Sequence, residues 1–224
     1  MLGTKIALII ACLLIMSIFI YFEKKEKYVL AVVLKGLASL MFVLLGMVCS
    51  IQVFDYQFIN RVQIGLILGL IADVLLNLRF VFKKFGKIVF LIGILVFLSG
   101  HILYLCALVP MCNNIVLPIV VGIVLTAIIL KWIFSRIEAQ KAFKIFGVFY
   151  IGAIVIMNAM AVSNLISDPI KPNIIFLIGA ISFLISDIVL ILNTFGKESK
   201  FSLRITNLSL YYVGQLLIAL SLVR

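Results

Sequence analysis

Four ionisable side chains lie inside stretches of sequence that are otherwise apolar. They are Lys35, Asp73, His101 and Asp187. If these stretches cross a membrane, each such group costs at least a few kcal/mol unless it has a partner, so it marks a candidate functional site. One lysine can neutralise only one of the two aspartates, and the second carboxylate must share a proton or bind a ligand. Two carboxylates in one site of low dielectric constant can supply one acid and one base.

The elements that must position these residues are membrane-spanning helices. Of the 224 residues, 66% are hydrophobic and 12% are charged, and a soluble domain needs a more polar surface than this composition allows. The apolar runs are about 17–23 residues long, which is the length that crosses about 30 Å of hydrocarbon as a helix. They predict an all-α membrane bundle, residues 1–224, with about eight transmembrane helices near residues 4–22, 28–50, 63–79, 87–109, 115–134, 142–164, 173–193 and 204–223.

The basic residues are concentrated in every second connection. Fourteen of the nineteen lysines and arginines follow the first, third, fifth and seventh runs: Lys24, Lys25, Lys27, Arg79, Lys83, Lys84, Lys87, Lys131, Arg136, Lys141, Lys144, Lys197, Lys200 and Arg204. The opposite side has only Lys5, Arg61, Lys171 and Arg224. This bias predicts cytoplasmic odd-numbered connections and outside termini in a bacterial inner membrane. No nucleic-acid partner is predicted, because no basic patch is interleaved with exposed aromatic residues.

The second half of the chain repeats features of the first at an offset of 114 residues. The matching pairs are Gly65 and Gly179, Asp73 and Asp187, Gly100 and Gly214, and His101 and Gln215. The offset spans four helices, an even number, so half-repeats of about residues 1–110 and 111–224 would have the same orientation. The pattern therefore predicts a 4+4 parallel repeat in which Asp73 and Asp187 face each other at similar depth.

Polar residues within the runs fall into two layers, about 9–15 Å and about 16–21 Å from the nearest cytoplasmic charge at 1.5 Å per residue. The shallower layer contains Lys35, Asp73 and Asp187, and the deeper layer contains His101, Asn158 and Gln215. One polar cavity open to the cytoplasmic leaflet would hold both layers. In the structural alternative, Lys35 neutralises one aspartate and the other polar groups form interhelical hydrogen bonds.

Four short motifs follow one another between the third helix and the C-terminus. They are Gly65-x7-Asp73-x2-Leu76, Gly93-x3-Phe97-x3-His101-x2-Tyr104, Ser186-Asp187-x2-Leu190 and Tyr211-Tyr212-x2-Gln215-Leu216-Leu217-Ile218. With Lys35 early in the second helix, their order and spacing resemble the YhhN family of membrane proteins. The sequence departs from the family pattern at Gly36, where a proline is expected, and at Ala72, where a glycine is expected. Neither departure removes a chemical group.

The resemblance implies a lysoplasmalogenase, which hydrolyses the vinyl ether of lysoplasmalogen lipids to a fatty aldehyde and a glycerophospho-headgroup. Vinyl ethers hydrolyse when an acid protonates the carbon β to oxygen and water captures the oxocarbenium ion. Asp73 and Asp187 are the candidate catalytic pair, with the roles not assigned between them. The candidate substrate-binding or orienting residues are Lys35, His101, Tyr104, Asn158, Tyr211 and Gln215. Lys35 would anchor the substrate phosphate or pair with one aspartate.

The predicted partners are the vinyl-ether lysophospholipid and membrane lipids, and no cofactor or metal ion is predicted. Two other functions use paired intramembrane acids. One is a small proton-coupled transporter, although no helix is broken by glycine and proline near the midplane. The other is an intramembrane aspartyl protease, but its usual Tyr-Asp and Gly-x-Gly-Asp contexts are missing, because Ala72 precedes Asp73 and Ser186 precedes Asp187. The sequence has no Gly-x-Ser-x-Gly motif of a serine hydrolase.

Ligands for a metal ion are few in this sequence. One histidine and four cysteines, Cys12, Cys49, Cys106 and Cys112, lack the spacing of a zinc site. An oxygen-rich Mg²⁺ or Ca²⁺ site near the aspartates is the remaining metal alternative. The cysteines are interpreted as small apolar fillers, and a disulfide among the three nearest the outer ends of helices two and four is the alternative.

Overall fold

The computed structural model describes residues 2–51 and 56–223, without the side chain of residue 142. Arg224, which the charge pattern places on the side opposite the basic connections, is not among the described residues. The helices are α1 (Leu2–Lys24), α2 (Tyr28–Ser50), α3 (Tyr56–Val81), α4 (Gly86–Leu108), α5 (Val116–Phe134), α6 (Lys141–Ser167), α7 (Lys171–Phe195) and α8 (Phe201–Leu220). The described ranges contain no strand, and an isolated bridge joins Ile137 and Gly196.

Eight of these helical segments are long and apolar enough to cross a membrane, which confirms the predicted all-α fold. Their outer surfaces are apolar as well. On α1, Ile6, Ile10, Leu14 and Ile18 recur every four residues and are 46–59% exposed, while Phe19 is fully buried. A row of exposed isoleucine and leucine along a helix is unfavourable in water and neutral in hydrocarbon. The chain is therefore a multi-pass membrane protein.

Several helix ends extend beyond the predicted spans, whereas α8 ends at Leu220, before the predicted end at residue 223. α3 begins at Tyr56, well before the predicted start at residue 63, and its first two turns contain the polar residues Asn60 and Arg61. α6 continues to Ser167 and α7 begins at Lys171, so the connection between them is shorter than the one left between the predicted spans, residues 165–172. Hydropathy marks the part of a helix that lies in hydrocarbon, whereas backbone hydrogen bonding continues into the polar boundary.

The described chain forms two compact units that divide after Tyr104, within α4. In the first unit, α2 packs against both α1 and α3. In the second unit, α6 packs against α5 and α7, and α7 also packs against α8. Each unit thus positions its own polar residues by the packing of adjacent helices.

Each unit contains a close approach of two helices at a pair of glycines. In the first unit, an ideal Cβ on Gly100 would lie 3.2 Å from the carbonyl oxygen of Gly65. In the second unit, a Cβ on Gly179 or Gly214 would lie 2.9 Å from the carbonyl oxygen of the other residue. Small residues permit such contacts between membrane helices. These glycines correspond at the offset of 114 residues, and the internal repeat itself stays a prediction.

We expect Gly214→Ala to destabilise the protein by about 1–3 kcal/mol, because its new methyl group would meet the backbone of α7. Gly147→Ala is the matched control, since nothing lies within 4 Å of the Cβ position there. The control should be neutral or slightly stabilising, because alanine favours helices over glycine. The measurement is the free energy of unfolding in mixed detergent micelles, and equal values for the two variants would contradict the close approach.

Residues 25–27 form the turn between α1 and α2. The N–H of Lys27 donates to the carbonyl oxygen of Phe22 at 3.1 Å, and the N–H of Glu26 donates to that of Glu23 at 3.0 Å. Glu26 has φ 58°, a left-handed conformation that glycine usually supplies. These features define a Schellman motif, which satisfies carbonyl groups at the end of α1 and sets the direction in which α2 begins.

Candidate functional site

The eight site residues predicted from the sequence are all buried, with at most 8% of each residue exposed. The first unit contains Lys35, Asp73, His101 and Tyr104, and the second contains Asn158, Asp187, Tyr211 and Gln215. Polar groups in a membrane protein face the bundle interior because an unpaired polar group in hydrocarbon is costly. The burial of these residues agrees with that rule.

In the first unit, α2 and α3 form a buried ion pair. Lys35 Nζ lies 3.0 Å from Asp73 Oδ1, and these side chains are 4% and 2% exposed. Ser39 Oγ donates a hydrogen bond to Asp73 Oδ2 at 2.6 Å. Lys35 and Ser39 are four residues apart on α2, so both reach the same carboxylate. Of the two roles predicted for Lys35, this geometry supports the partner of an aspartate.

The ion pair is extended by two further polar residues. Lys35 Nζ donates to Asn77 Oδ1 at 3.3 Å, and Asn77 Nδ2 donates to Glu23 Oε1 at 3.2 Å. Ser39, Asn77 and Glu23 were not predicted from the sequence. The spacing of four residues from Lys35 to Ser39 and from Asp73 to Asn77 was the signal that could have identified the first two.

His101 and Tyr104 belong to the packing of α4 against α3. The His101 ring stacks on Phe97 with centroids 5.7 Å apart, and it meets Tyr104 edge to face at 5.8 Å. The Tyr104 ring fills the space beside Gly65, where a Cβ atom would collide with it. A glycine at this position of α3 is therefore required for Tyr104 to lie against that helix.

In the second unit, Asp187 on α7 accepts a hydrogen bond from a residue of α6. Tyr150 Oη donates a hydrogen bond to Asp187 Oδ2 at 2.6 Å. The preceding residue, Ser186, is connected to α8, because its Oγ donates to the carbonyl oxygen of Asn207 at 2.9 Å and Asn207 Nδ2 donates to the Ser186 carbonyl oxygen at 3.0 Å. Contacts from two helices thus fix α7 at Asp187. Tyr150 was not predicted as a site residue from the sequence.

Asn158 and Gln215 each donate hydrogen bonds within the second unit. Asn158 Nδ2 donates to the carbonyl oxygens of Ile154 and Ala180 at 2.9 and 3.2 Å. These two acceptors fix the amide orientation, and Asn158 Oδ1 is buried with no hydrogen-bond partner within residues 2–51 and 56–223. Such an oxygen can accept a hydrogen bond from water or a ligand. Gln215 Nε2 donates to Tyr211 Oη at 3.4 Å.

The two units hold their carboxylates in a similar way. In each, a hydroxyl group on the preceding helix donates to an aspartate Oδ2 at 2.6 Å. The donors Ser39 and Tyr150 do not correspond at the offset of 114 residues, so the same contact is made from non-equivalent positions. The predicted pairing of Asp73 with Asp187 in one cavity stays a prediction.

A comparison with models of protein families tests whether the chain belongs to the family that its sequence resembles. The family model of the YhhN family matches residues 5–222, nearly the whole chain. The chain belongs to the YhhN family. A search of curated proteins and of solved structures finds no match. The membrane fold and the buried carboxylates described above are therefore those of a YhhN protein.

The two positions at which the resemblance implies a departure from the YhhN pattern, Gly36 and Ala72, lie on α2 and α3. A Cβ on Gly36 would lie 3.2 Å from Val74 Cγ2, and Ala72 is fully buried. Both positions adjoin the ion pair in sequence, since they are next to Lys35 and Asp73. The departures leave the ion pair of this YhhN chain in place.

None of the four cysteines of this YhhN chain, Cys12, Cys49, Cys106 and Cys112, forms a disulfide bond within the part of the chain that the structure describes. Cys112, in the connection after α4, donates from its Sγ to Asn164 Oδ1 at 2.8 Å. Burial raises the pKa of the Cys112 thiol, so the thiol stays protonated and is a weak nucleophile. These contacts agree with the interpretation of the cysteines as small fillers.

Proposed function

We propose that this YhhN protein is a lysoplasmalogenase, which hydrolyses the vinyl-ether bond of lysoplasmalogen lipids by acid catalysis. The observation that carries the proposal is the pair of buried aspartates, Asp73 and Asp187, each held by a hydroxyl group at 2.6 Å. Membership of the family supports the substrate class, because the family's characterised members are lysoplasmalogenases. Two buried carboxylates match a reaction that needs one acid and one carboxylate.

In the proposed reaction, a carboxylic acid gives its proton to the carbon β to the ether oxygen. The electrons of the C=C bond form the new C–H bond, and the carbon next to oxygen becomes an oxocarbenium ion. Water attacks this carbon and loses a proton to the carboxylate. The resulting hemiacetal breaks its carbon–oxygen bond to give the fatty aldehyde and the hydroxyl group of the glycerophospho-headgroup. One water molecule is consumed, and the acid is regenerated by proton exchange.

The contacts support a division of roles between the aspartates. Asp73 is assigned the part of the carboxylate, because the Lys35 ammonium lies 3.0 Å from Asp73 Oδ1 and compensates its charge. Such a carboxylate would stabilise the oxocarbenium ion and accept the proton of water. Asp187 is assigned the part of the acid. Since Tyr150 donates to Oδ2 of Asp187, Oδ1 is the oxygen that would carry the transferable proton.

The remaining predicted residues are assigned orienting roles. Asn158 Nδ2 donates to two carbonyl groups, and the buried Oδ1 of Asn158 would accept a hydrogen bond from the attacking water. His101, Tyr104, Tyr211 and Gln215 are buried polar side chains that would line the substrate's polar region. The alkenyl chain would lie among the apolar side chains of the helices.

The deciding experiment is a fatty-aldehyde assay on the purified full-length protein in detergent or nanodiscs. The substrate is a lysoplasmalogen, and the control substrate is its saturated alkyl-ether analogue, which has the same headgroup and chain length. We expect aldehyde from the vinyl ether and none from the analogue, because only the vinyl ether can be protonated on carbon. A folded protein that releases no aldehyde, yet drives proton-coupled uptake in proteoliposomes, would establish the transporter alternative instead.

We also propose the orientation in which the termini are outside and the connection after α3 is cytoplasmic, in a bacterial inner membrane. Lys83 and Lys84 in that connection, and Lys87 in the first turn of α4, support it through the positive-inside rule. A single cysteine introduced at Lys84, in a variant whose native cysteines are replaced, should be labelled by an impermeant thiol reagent only after the cells are opened. Labelling of intact cells at this position would reverse the proposed orientation.

A further inference from the structure

A chain of hydrogen bonds leads from the end of α1 to the buried ion pair. Glu23 lies in the last turn of α1 and is half-buried, whereas Lys35, Asp73 and Asn77 are at most 3% exposed. Glu23 accepts from Asn77 at 3.2 Å, Asn77 accepts from Lys35 at 3.3 Å, and Lys35 pairs with Asp73 at 3.0 Å. The chain therefore connects α1, α2 and α3 through side chains alone.

The orientation of the Asn77 amide is determined by its two partners. An ammonium group can only donate hydrogen bonds and a carboxylate can only accept them. A rotated amide would place its NH₂ group against the Lys35 ammonium and its oxygen against the Glu23 carboxylate. Glu23 thus helps to hold the Asn77 oxygen toward Lys35, and this oxygen accepts from the ammonium group in addition to Asp73.

An acceptor in addition to Asp73 restricts the position of the Lys35 side chain. Lysine has a flexible four-carbon stem, and a single partner leaves its ammonium group free to rotate around that partner. Asp73 and Asn77 are four residues apart on α3 and contact Lys35 from adjacent turns. The Phe19 ring of α1 lies 5.8 Å from Lys35 Nζ as well. These contacts together define one position for the ammonium group.

The location of Glu23 also indicates a specific role. Carbonyl groups at a helix C-terminus carry partial negative charge, so a carboxylate in the last turn is unfavourable there. Lysine is the ordinary residue at such a position, and Lys24 and Lys25 follow immediately. The acceptor that Glu23 provides for Asn77 gives a physical reason for an acidic residue at the end of α1.

We propose that Glu23 is a positioning residue, which acts through Asn77 to hold the Lys35 ammonium group against Asp73. The effect on turnover rests on the proposed function, whereas the position of the ammonium group does not. Removal of the Glu23 acceptor breaks the hydrogen bond that Asn77 Nδ2 donates, so the Asn77 oxygen is held less firmly as an acceptor for Lys35. Asp73 loses its fixed counter-ion position as a result.

Two substitutions at Glu23 separate its hydrogen bond from its charge. Glu23→Leu removes the acceptor and should lower kcat about tenfold to a hundredfold with little change in KM, because catalytic groups tolerate only small displacements. Glu23→Gln keeps an oxygen acceptor and should retain most of the activity. Glu26→Gln is the matched control, since it removes a carboxylate from the adjacent turn that does not contact Asn77, and it should behave like the unchanged protein.

A spectroscopic measurement tests the inference without any substrate. The ammonium group of Lys35 is observed by ¹⁵N NMR of protein labelled in its lysine side chains, and the signal is assigned from its loss in Lys35→Arg. The signal should shift and exchange faster with water in Glu23→Leu, and it should be unchanged in Glu26→Gln. Asn77→Leu removes the middle residue of the chain and should give the same shift, so the test does not depend on one variant.

The possible results separate the two proposals. An unchanged Lys35 signal in Glu23→Leu and Asn77→Leu would overturn the positioning role. Equal losses of kcat in Glu23→Gln and Glu23→Leu would also overturn it, because the charge rather than the hydrogen bond would then be required. A native protein that releases no aldehyde, with the Lys35 signal shifted as expected, would remove the proposed function and leave the positioning role supported.

Discussion

Asp73→Asn and Asp187→Asn should each lower kcat for aldehyde release by about 10²–10⁴-fold, the contribution typical of a general acid or base. Asparagine has nearly the same size as aspartate but cannot transfer a proton at neutral pH. If the two residues act as one catalytic unit, the double variant should lose little more than either single variant. Kinetics of the purified variants with lysoplasmalogen would measure these losses.

A loss of activity caused by misfolding can be distinguished from one caused by loss of a catalytic group. The hydroxyl groups of Ser39 and Tyr150 can donate to an asparagine oxygen as they do to the carboxylates. Asp73→Asn should nevertheless be the less stable variant, because it leaves the buried Lys35 charge without its counter-ion. Size-exclusion profiles and unfolding curves identify folded protein. Folded single variants with near-native aldehyde release would end the hypothesis of a catalytic pair.

Lys35→Met should destabilise the protein by about 3–5 kcal/mol, the effect of removing one partner from a buried ion pair. Asp73 is 2% exposed, so its carboxylate would remain in a site of low dielectric constant without a counter-ion. The double variant Lys35→Met with Asp73→Asn should recover most of this loss, since it leaves neither charge in the site. The free energy of unfolding in mixed micelles would be measured for all three proteins.

A second ion pair in the chain provides the control. Lys200 Nζ and Glu198 Oε2 are also 3.0 Å apart, but their side chains are 62% and 74% exposed. Lys200→Met should change the free energy of unfolding by less than about 1 kcal/mol, because water solvates both charges of an exposed pair. If Lys35→Met were no more destabilising than Lys200→Met, the buried ion pair would not be present in the folded protein.

The number and approximate position of the helices could be predicted because a membrane imposes one simple requirement on the sequence. Every backbone polar group in hydrocarbon must bond within its own helix, so each span is a long apolar run. The errors occurred where this requirement ends. The first two turns of α3 contain Asn60 and Arg61, which are helical in the structure although their polarity favours a connection.

The predicted site residues were the ones whose burial is costly. Ionisable groups in an apolar run are conspicuous, because burying such a group is costly unless it has a partner or a function. Lys35, Asp73 and Asp187 are groups of this kind. Ser39 and Tyr150 do not stand out, since a hydroxyl group on a helix can bond to its own backbone or lie at a boundary at little cost. Their importance depends on which faces of adjacent helices meet, and packing between helices determines that.

Glu23 was not identifiable for a different reason. It adjoins Lys24 and Lys25 in a charged turn, where a carboxylate is ordinarily a solvated surface group. Only the packing of α1 against α2, and of α2 against α3, brings it within hydrogen-bond distance of Asn77. Contacts between residues that are 54 positions apart in the chain have no local signature in one sequence.

The Schellman turn at Glu26 has a consequence for how this family can evolve. An α-helix rotates by about 100° per residue, so one residue inserted between Glu23 and Lys35 would turn the lysine away from its partners on α3. A deletion would turn it in the opposite direction. Substitutions at Lys24 or Lys25 leave this rotation unchanged. Across descendants of one ancestral gene, the length of this hairpin should therefore be inherited more strictly than its amino acids.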